Sequence, residues 1–177
     1  MADPLDLSLA ALVAAPLPPD APDYARRLVE RVGSAAPPLL LIDELSSSSR
    51  PAPGKWSPRE IIGHLIDSAS NNHQRFVRTR GREDLVVDGY EQDAWVASQR
   101  YQQAPWVELV VLWLTYNRQL ARVMAATPAA DRARSRAVHN LDERAFRAVP
   151  RDRAVSLDYF MSDYVDHLEH HLAQVLP

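Results

Sequence analysis

The sequence predicts an all-α protein, a four-helix bundle with short additional helices in the connections between the long ones. Three observations lead to this fold class. Apolar residues recur at spacings of three and four in four long segments, and residues that start and stop helices flank these segments. No run of useful length alternates apolar and polar residues as a strand does. A chain of 177 residues suits one domain with a single core.

The N-terminal segment differs from the rest in its proline content. Residues 1–22 are interrupted repeatedly by proline, so we expect a proline-rich arm before a bundle domain of residues 23–177. The apolar residues 7–15 follow Asp3 and Asp6 and no basic residue, which argues against a secretory signal. No apolar run approaches the roughly 20 residues of a membrane span. We therefore expect a cytoplasmic protein.

The first long helix should begin near Asp23, which is a good N-cap. The Pro37-Pro38 pair is expected to interrupt it, because proline lacks an N–H group and clashes with the preceding turn. Helix could resume with Pro38 at its first position and extend to about Leu45. The serine-rich and proline-rich residues 46–54 predict a loop.

The second long helix has the clearest start in the sequence. Ser57 is an N-cap residue, Pro58 occupies the first helical position, and Glu60 completes a capping box. The apolar pattern then continues to about Thr79, and Gly81 stops the helix.

The remaining chain predicts two more long helices. A short helix is expected around Glu91–Arg100, and a third long one from Pro105 to about Ala126. Residues 128–154 are arginine-rich and poorly periodic, which predicts mostly loop with at most a short strand or turn. A last helix should start at Ser156 and run to about Leu176. Four long helices with one long connection fit a bundle.

Composition excludes several kinds of function. The chain has no cysteine, which excludes disulfides, thiolate metal ligands and a nucleophilic cysteine. Any metal site must therefore use His, Asp and Glu. The net charge of -3 gives no general reason to expect nucleic-acid or membrane partners, and acidic residues dilute the arginines of residues 132–153.

The last predicted helix carries a histidine pair beside its apolar stripe. The stripe consists of Leu157, Phe160, Met161, Tyr164, Leu168, Leu172 and Val175. His167 and His171 are four residues apart, so they stack one turn above the other and can hold one ion together. Exposed pairs of this spacing are common, so the pair alone has two interpretations. A zincin motif is excluded, because Glu169 lies two residues after His167 and faces the other way.

The second long helix has a polar stripe next to its core stripe. The polar stripe comprises His64, Asp67, Ser68, Asn71 and Arg75, at spacings of three and four. One interpretation is a solvated face. The other is a pocket wall, in which His64 is a third metal ligand and the other residues line the cavity.

Several segments, in order along the chain, resemble motifs of the DinB-like, YfiT-type family. They are residues 53–68 (PGKWSPREIIGHLIDS), Asn71 with Arg75-Phe76, residues 90–95 (YEQDAW) and residues 167–172 (HLEHHL). The resemblance implies a four-helix bundle, usually dimeric, that binds one divalent metal through His64, His167 and His171. His170 belongs to the motif but points about 100° from His171, so we do not expect it to ligate. The Pro37-Pro38 pair and residues 129–153 depart from the family pattern.

The resemblance also implies a type of chemistry. Three imidazoles leave an open coordination position, which is typical of a catalytic site. Zinc and nickel are the first candidates, although iron and cobalt suit imidazole ligands as well. Family members resemble transferases that use bacillithiol, mycothiol or glutathione, and others are described as metal-dependent hydrolases. We therefore expect a metal-activated low-molecular-weight thiol as co-substrate, which attacks an electrophilic small-molecule substrate. Hydrolysis of a small ester or amide and a non-catalytic, metal-stabilised bundle are the alternative hypotheses.

The polar stripe supplies the expected catalytic residues. Asp67 would orient His64 or act as a base, and Arg75 and Asn71 would bind polar or anionic substrate groups. Tyr90 and Trp95 either line the entrance or belong to the core.

Other candidates are weaker. Asp163 could support His167 from one turn away, although a surface acid is the favoured interpretation. His73 and His139 have no partner at a ligand-like spacing and are expected to be solvated. Trp56, Trp106 and Trp113 are expected to be packing residues.

Overall fold

The computed structural model describes residues 16–176, which form a helical bundle. The α-helices of this part are α1 (Asp23–Leu40), α2 (Glu44–Ser48), α3 (Pro58–Arg78), α4 (Gln92–Gln99), α5 (Trp106–Ala125), α6 (Ala129–Ala133), α7 (Leu141–Arg144) and α8 (Leu157–Leu172). A 3₁₀ turn at Tyr101–Gln103 follows α4, and between residues 16 and 176 β-structure is limited to isolated bridges. The predicted all-α four-helix bundle is confirmed.

The four long helices pack around one core. Helices α1 and α3 each pack against both α5 and α8, so the order around the bundle is α1, α5, α3, α8. The long helices α1 and α3 are therefore consecutive along the chain but diagonal in space. Trp106 and Trp113 are buried in the core, as expected of packing residues. Across residues 16–176, none of the helices is both long and apolar enough to span a membrane.

Helix α1 differs from the prediction at its C-terminal end. It continues through Pro37 and Pro38, so the expected interruption there is wrong. Each proline removes one N–H donor from the last turn, but little helix follows the pair that a kink could displace. Burial of Leu39 holds this turn against the core, and the Trp106 indole N–H donates to the Leu39 carbonyl at 2.8 Å. Tertiary packing thus overrides the local preference of proline.

The loop expected after α1 is partly helical. Residues 46–48 belong to the short helix α2, because Asp43 caps it by accepting a hydrogen bond from the Ser46 amide at 2.8 Å. The buried Arg59 side chain fixes α2 to α3, donating to the Ser47 hydroxyl at 2.9 Å and to the Glu44 carbonyl at 3.1 Å. Residues 1–15 of the expected proline-rich arm lie outside the described residues, and residues 16–22 contain no helix.

Helix α3 begins as the sequence predicts. Both hydrogen bonds of the Ser57–Glu60 capping box are present, and the helix ends just before Thr79. Gly63 lies directly against the ring of Tyr101, since a Cβ atom at this position would be 2.1 Å from Tyr101 Cδ2. The absence of a side chain at Gly63 therefore allows the 3₁₀ turn to pack on α3.

The connection between α5 and α8 is mostly irregular, as expected, with the short helices α6 and α7. Its expected solvated histidine, His139, is buried instead, so that prediction is wrong. The His139 ring accepts a hydrogen bond from the Leu141 amide at 3.1 Å and donates to the Arg153 carbonyl at 2.8 Å. Its role is to hold the connection together. His73 is half-buried, 3.4 Å from the Tyr116 hydroxyl.

Candidate metal centre

Helices α3 and α8 bring His64, His167 and His171 together. One ring nitrogen from each lies within 4.8 Å of the others. The closest pair is His64 Nε2 and His167 Nε2, at 3.3 Å. The three ring centroids are 4.6 to 5.2 Å apart. The sequence-predicted ligands therefore form one cluster, and His170 is not part of it.

The donor set of this cluster fits a divalent transition metal. A tetrahedral zinc ion at about 2.0–2.1 Å from each imidazole would place ligand nitrogens about 3.3 Å apart, which is the separation of the His64 and His167 Nε2 atoms. The outer nitrogens have partners of their own in two cases. His167 Nδ1 lies 3.4 Å from Ser68 Oγ, and His171 Nδ1 lies 3.3 Å from Gln174 Nε2. Ser68 Oγ can accept from the Nδ1–H group of His167, which leaves the Nε2 lone pair of that ring for a metal, whereas the Gln174 amide nitrogen can only donate to His171.

Burial keeps the three imidazoles neutral. It lowers the pKa of His64 to about 3, of His167 to about 2 and of His171 to about 4, with the neighbouring histidine charges as the secondary cause. Neutral imidazole is the form that binds a metal ion. The cluster is therefore ready to ligate at neutral pH without losing protons.

A cavity of about 570 Å³ opens beside the cluster. Helical residues form one side of it, including the three histidines, Ser68 and the buried Tyr164. Two connecting segments form another, residues 89–92 and residues 143–146. This volume is within the range of small-molecule sites. Residues 129–153 depart from the family pattern, yet part of that segment lines the cavity.

Asp67 is buried, and its side-chain hydrogen bonds are to residues other than the three histidines. Its Oδ1 accepts hydrogen bonds from the Tyr101 hydroxyl at 2.7 Å and from the Gln99 amide. Burial raises the pKa of Asp67, and these two hydrogen bonds oppose that shift. The side chain ties α3 to the α4 region, and Asp67 is not among the residues that line the cavity.

Arg75 lines the cavity, whereas Asn71 lies outside it. The Arg75 guanidinium donates to the Asp88 carbonyl and lies 5.9 Å from the Tyr90 ring centroid. Asn71 donates to the Asp67 carbonyl at 2.9 Å and lines a smaller neighbouring cavity of about 130 Å³. The structure thus brings one of the two expected substrate-binding residues to the histidine cluster.

Tyr90 and Trp95 make a tilted ring contact at the cavity wall. Tyr90 lines the cavity, and its ring centroid is 4.9 Å from that of Trp95. Trp95 is 37% exposed, so it is not a core residue. Burial raises the pKa of Tyr90 to about 12, which keeps its hydroxyl protonated.

Asp163 is not the surface acid that the sequence favoured. It is 4% exposed, lines the cavity, and accepts hydrogen bonds from the backbone amides of Phe146 and Arg147 at 2.8 and 2.7 Å. These bonds hold Phe146 with its ring centroid 5.6 Å from that of His167. Asp163 therefore positions a connecting segment against the cluster.

One neighbour of the cluster, Trp56, was expected only to be a packing residue. The Trp56 ring lies 4.9 Å from His64 and 6.2 Å from His171, measured between centroids. Its place immediately before the capping box of α3, eight residues from His64, was the available indication.

Comparisons with known proteins agree with the fold. The model of the DinB superfamily matches residues 41–175. YfiT of Bacillus subtilis (strain 168) is 25% identical over 123 residues, which are 69% of this chain and 63% of that relative. The chain thus matches somewhat less than two thirds of the relative's length. A solved structure of YfiT, described as a probable metal-dependent hydrolase with an unusual four-helix bundle topology, covers 86% of this chain and 81% of its own, with 18% identity and a TM-score of 0.68.

Proposed function

Because the chain belongs to the DinB superfamily, we propose that it is a metal-dependent enzyme acting on a small polar molecule. His64, His167 and His171 would hold one divalent ion, zinc or nickel in the first instance. The observation that carries the proposal is the cluster of three neutral imidazoles at the edge of a cavity of about 570 Å³.

A divalent ion at this position would supply a Lewis acid, which lowers the pKa of a thiol or water molecule that coordinates it. The chain's own residues bind and orient the reactants. Ser68 and Gln174 fix the ring planes of two histidines, and Trp56 packs against the third. The protonated Tyr90 hydroxyl and the Arg75 guanidinium offer hydrogen-bond donors to the substrate.

Thiol transfer is the reaction that we favour. In the part of the chain that the structure describes, no carboxylate belongs to the histidine cluster. Asp163, Glu91 and Glu143 line the cavity outside that cluster. A thiol is acidic enough to ionise without one of them as a base. In this reaction a sulfur–carbon bond forms to an electrophilic substrate, its leaving group departs with the bonding electrons, and the thiol proton goes to solvent.

Metal-dependent hydrolysis is the second candidate, and the description of YfiT favours it. In that reaction a small ester or amide would be cleaved by water. The same ligands would serve both reactions, so the difference lies in the nucleophile that enters the cavity.

Metal analysis and activity assays on the purified protein test the proposal. We expect one transition-metal ion per chain and conjugation of chlorodinitrobenzene to bacillithiol, mycothiol or glutathione, with release of chloride. Hydrolysis of nitrophenyl esters without conjugation would contradict the transferase. A protein that binds metal but shows neither activity, and keeps its thermal stability on chelation, would contradict an enzymatic role.

The homodimer and the cytoplasmic location expected from the sequence stay predictions. Asp67 and Asn71 are the two expected catalytic residues for which the contacts suggest a structural role first.

A further inference from the structure

Two arginines from separate elements line the histidine cavity, Arg75 of α3 and Arg144 of α7. Burial lowers the pKa of Arg75 and the charge of Arg144 acts in the same direction, whereas Tyr90 and the Asp88 carboxylate oppose this shift. Two like charges beside one cavity repel each other, and an anion between them would remove that cost.

Arg75 has only neutral partners. Its Nε and one terminal nitrogen donate to the Asp88 carbonyl at 3.0 and 2.5 Å, and the other terminal nitrogen lies 3.4 Å from the Asn72 amide oxygen. Within residues 16–176 it takes part in no ion pair. The Asp88 carboxylate acts on the charge of Arg75 without forming an ion pair with it. A half-buried guanidinium without an ion pair is unusual in a folded protein, because buried charges are normally paired.

The Arg75 guanidinium is held in place before any ligand arrives. It lies over the face of Tyr90, which in turn packs against Trp95. The two bonds to the Asp88 carbonyl fix its remaining edge. A donor that is already fixed loses little conformational freedom on binding.

Arg144 occupies a position that only glycine at residue 89 permits. A Cβ atom on Gly89 would lie 2.4 Å from one terminal nitrogen of Arg144 and 2.7 Å from its Cζ. The guanidinium therefore rests directly on the Gly89 backbone. Arg144 forms an ion pair with Glu143 Oε2 at 3.5 Å, and Arg151 contacts the other oxygen of the same carboxylate at 2.5 Å.

Three acids line the cavity together with the two arginines. Both oxygens of Asp163 accept backbone hydrogen bonds, and Glu143 is shared between Arg144 and Arg151. Glu91 is exposed and forms no ion pair among the described residues. Arg75 is therefore the lining arginine without an ion pair in the described part of the chain, and Arg144 shares its acid with a second arginine.

We propose that Arg75 and Arg144 form a subsite for a carboxylate group of the substrate, and that Gly89 sets its specificity by leaving room for the Arg144 guanidinium. The planar guanidinium groups match the geometry of a carboxylate. This inference rests on the proposed function, since it assigns the substrate class of the same cavity: small organic acids whose reacting group faces the histidine cluster.

Calorimetric titration of the metal-loaded protein with succinate, in 0.15 M salt to screen non-specific attraction, tests the subsite. Succinamide, which has the same shape without charge, should not bind. Arg144→Gln and Arg75→Gln should each weaken succinate binding by about tenfold or more. Arg122→Gln removes one charge from an exposed position on α5 and should leave the affinity unchanged.

Three further variants separate specific recognition from net charge and from folding. Gly89→Ala keeps both arginines but displaces Arg144, so it should weaken succinate binding severalfold. Arg75→Lys keeps the charge and loses the planar fork, and should bind weakly even if Arg75→Gln fails to fold. His64→Ala should lose metal yet keep succinate binding, which shows that the carboxylate is not held by the ion.

Equal binding of succinamide, tighter Arg-dependent binding of inorganic phosphate, or wild-type succinate binding in both Arg144→Gln and Gly89→Ala would overturn the subsite. Failure of the proposed function looks different: the protein would then contain no metal and catalyse neither reaction, while succinate binding would still depend on Arg144. Failure of the subsite alone would leave metal content and conjugation intact.

Discussion

The two sides of the histidine cavity are built in different ways. On one side, residues of α3 and α8 are fixed by helices whose other faces are buried in the core. On the other, residues 89–92 and 143–146 come from connections held by a few hydrogen bonds, such as those from Phe146 and Arg147 to Asp163. The helical side carries the candidate metal ligands, and the connecting side carries Arg144 and Gly89. The proposed metal chemistry would thus rest on core helices, whereas the proposed carboxylate subsite would combine Arg75 of α3 with residues of a connection.

The largest effect should follow from removing a ligand on the helical side. His64→Ala leaves two imidazoles, so metal affinity should fall by more than about 100-fold, since even partners outside the ligand shell contribute about 10–100-fold. A competition titration against a chromophoric chelator measures this. His170→Ala, which removes a cavity histidine outside the cluster, should change the affinity less than about threefold. Equal losses in both variants would show that His64 is not a ligand.

A glycine-to-alanine substitution should lower the free energy of unfolding on the helical side and leave it nearly unchanged on the connecting side. Gly63→Ala on α3 forces a methyl group into the Tyr101 ring and disturbs its hydrogen bond to Asp67, so it should lower the free energy of unfolding by about 1–3 kcal/mol. Gly89→Ala meets only the flexible end of Arg144, so its effect should stay within about 0.5 kcal/mol. Urea denaturation measures both. A larger loss for Gly89→Ala would mean that the connecting side is as rigid as the helical side.

The two backbone hydrogen bonds that Asp163 accepts should affect mainly the segment that donates them. Asp163→Ala leaves the amides of Phe146 and Arg147 without their acceptor, which should cost about 1 kcal/mol of stability. Hydrogen exchange at these two amides should accelerate, whereas Glu91→Ala should leave them unchanged. Unaltered exchange in Asp163→Ala would show that other contacts hold this segment.

The smallest effect is expected at Phe146. Its side chain is 44% exposed, so Phe146→Ala should change the free energy of unfolding by less than about 0.5 kcal/mol. Metal affinity should also remain within about twofold, because the ring only packs beside His167. Val138→Ala, at an exposed apolar position of the same connection, serves as the control for stability. A marked loss of metal in Phe146→Ala would make this ring part of the metal centre.

The difference between the helical side and the connecting side also describes which features could be predicted from the sequence. Local rules were enough to place α3, because the Ser57–Glu60 capping box and the apolar period are properties of the segment itself. The histidine cluster could be expected because its members lie on helical faces next to core stripes. The continuation of α1 through Pro37 and Pro38 could not be predicted, because its stability depends on burial against other helices.

Two aspartates have hydrogen-bond partners that the local sequence pattern does not predict. Asp67 lies three residues after His64, and Asp163 lies four residues before His167, so spacing alone gives both a place near the ligands. Asp67 is instead bound by Tyr101 and Gln99, and Asp163 by a backbone segment. Their partners come from connections without periodicity, whose positions the sequence pattern does not specify.

The Trp56 ring beside His64 gives the protein an optical reporter of its own. Indole emission is quenched at short range by ions with partly filled d shells, such as nickel or cobalt, and not by zinc, whose d shell is full. Loading with nickel should therefore dim the tryptophan fluorescence, and subsequent exchange for zinc should restore it. Trp56→Phe should abolish most of that response without removing a ligand, so occupancy of the centre can be followed in solution without a label.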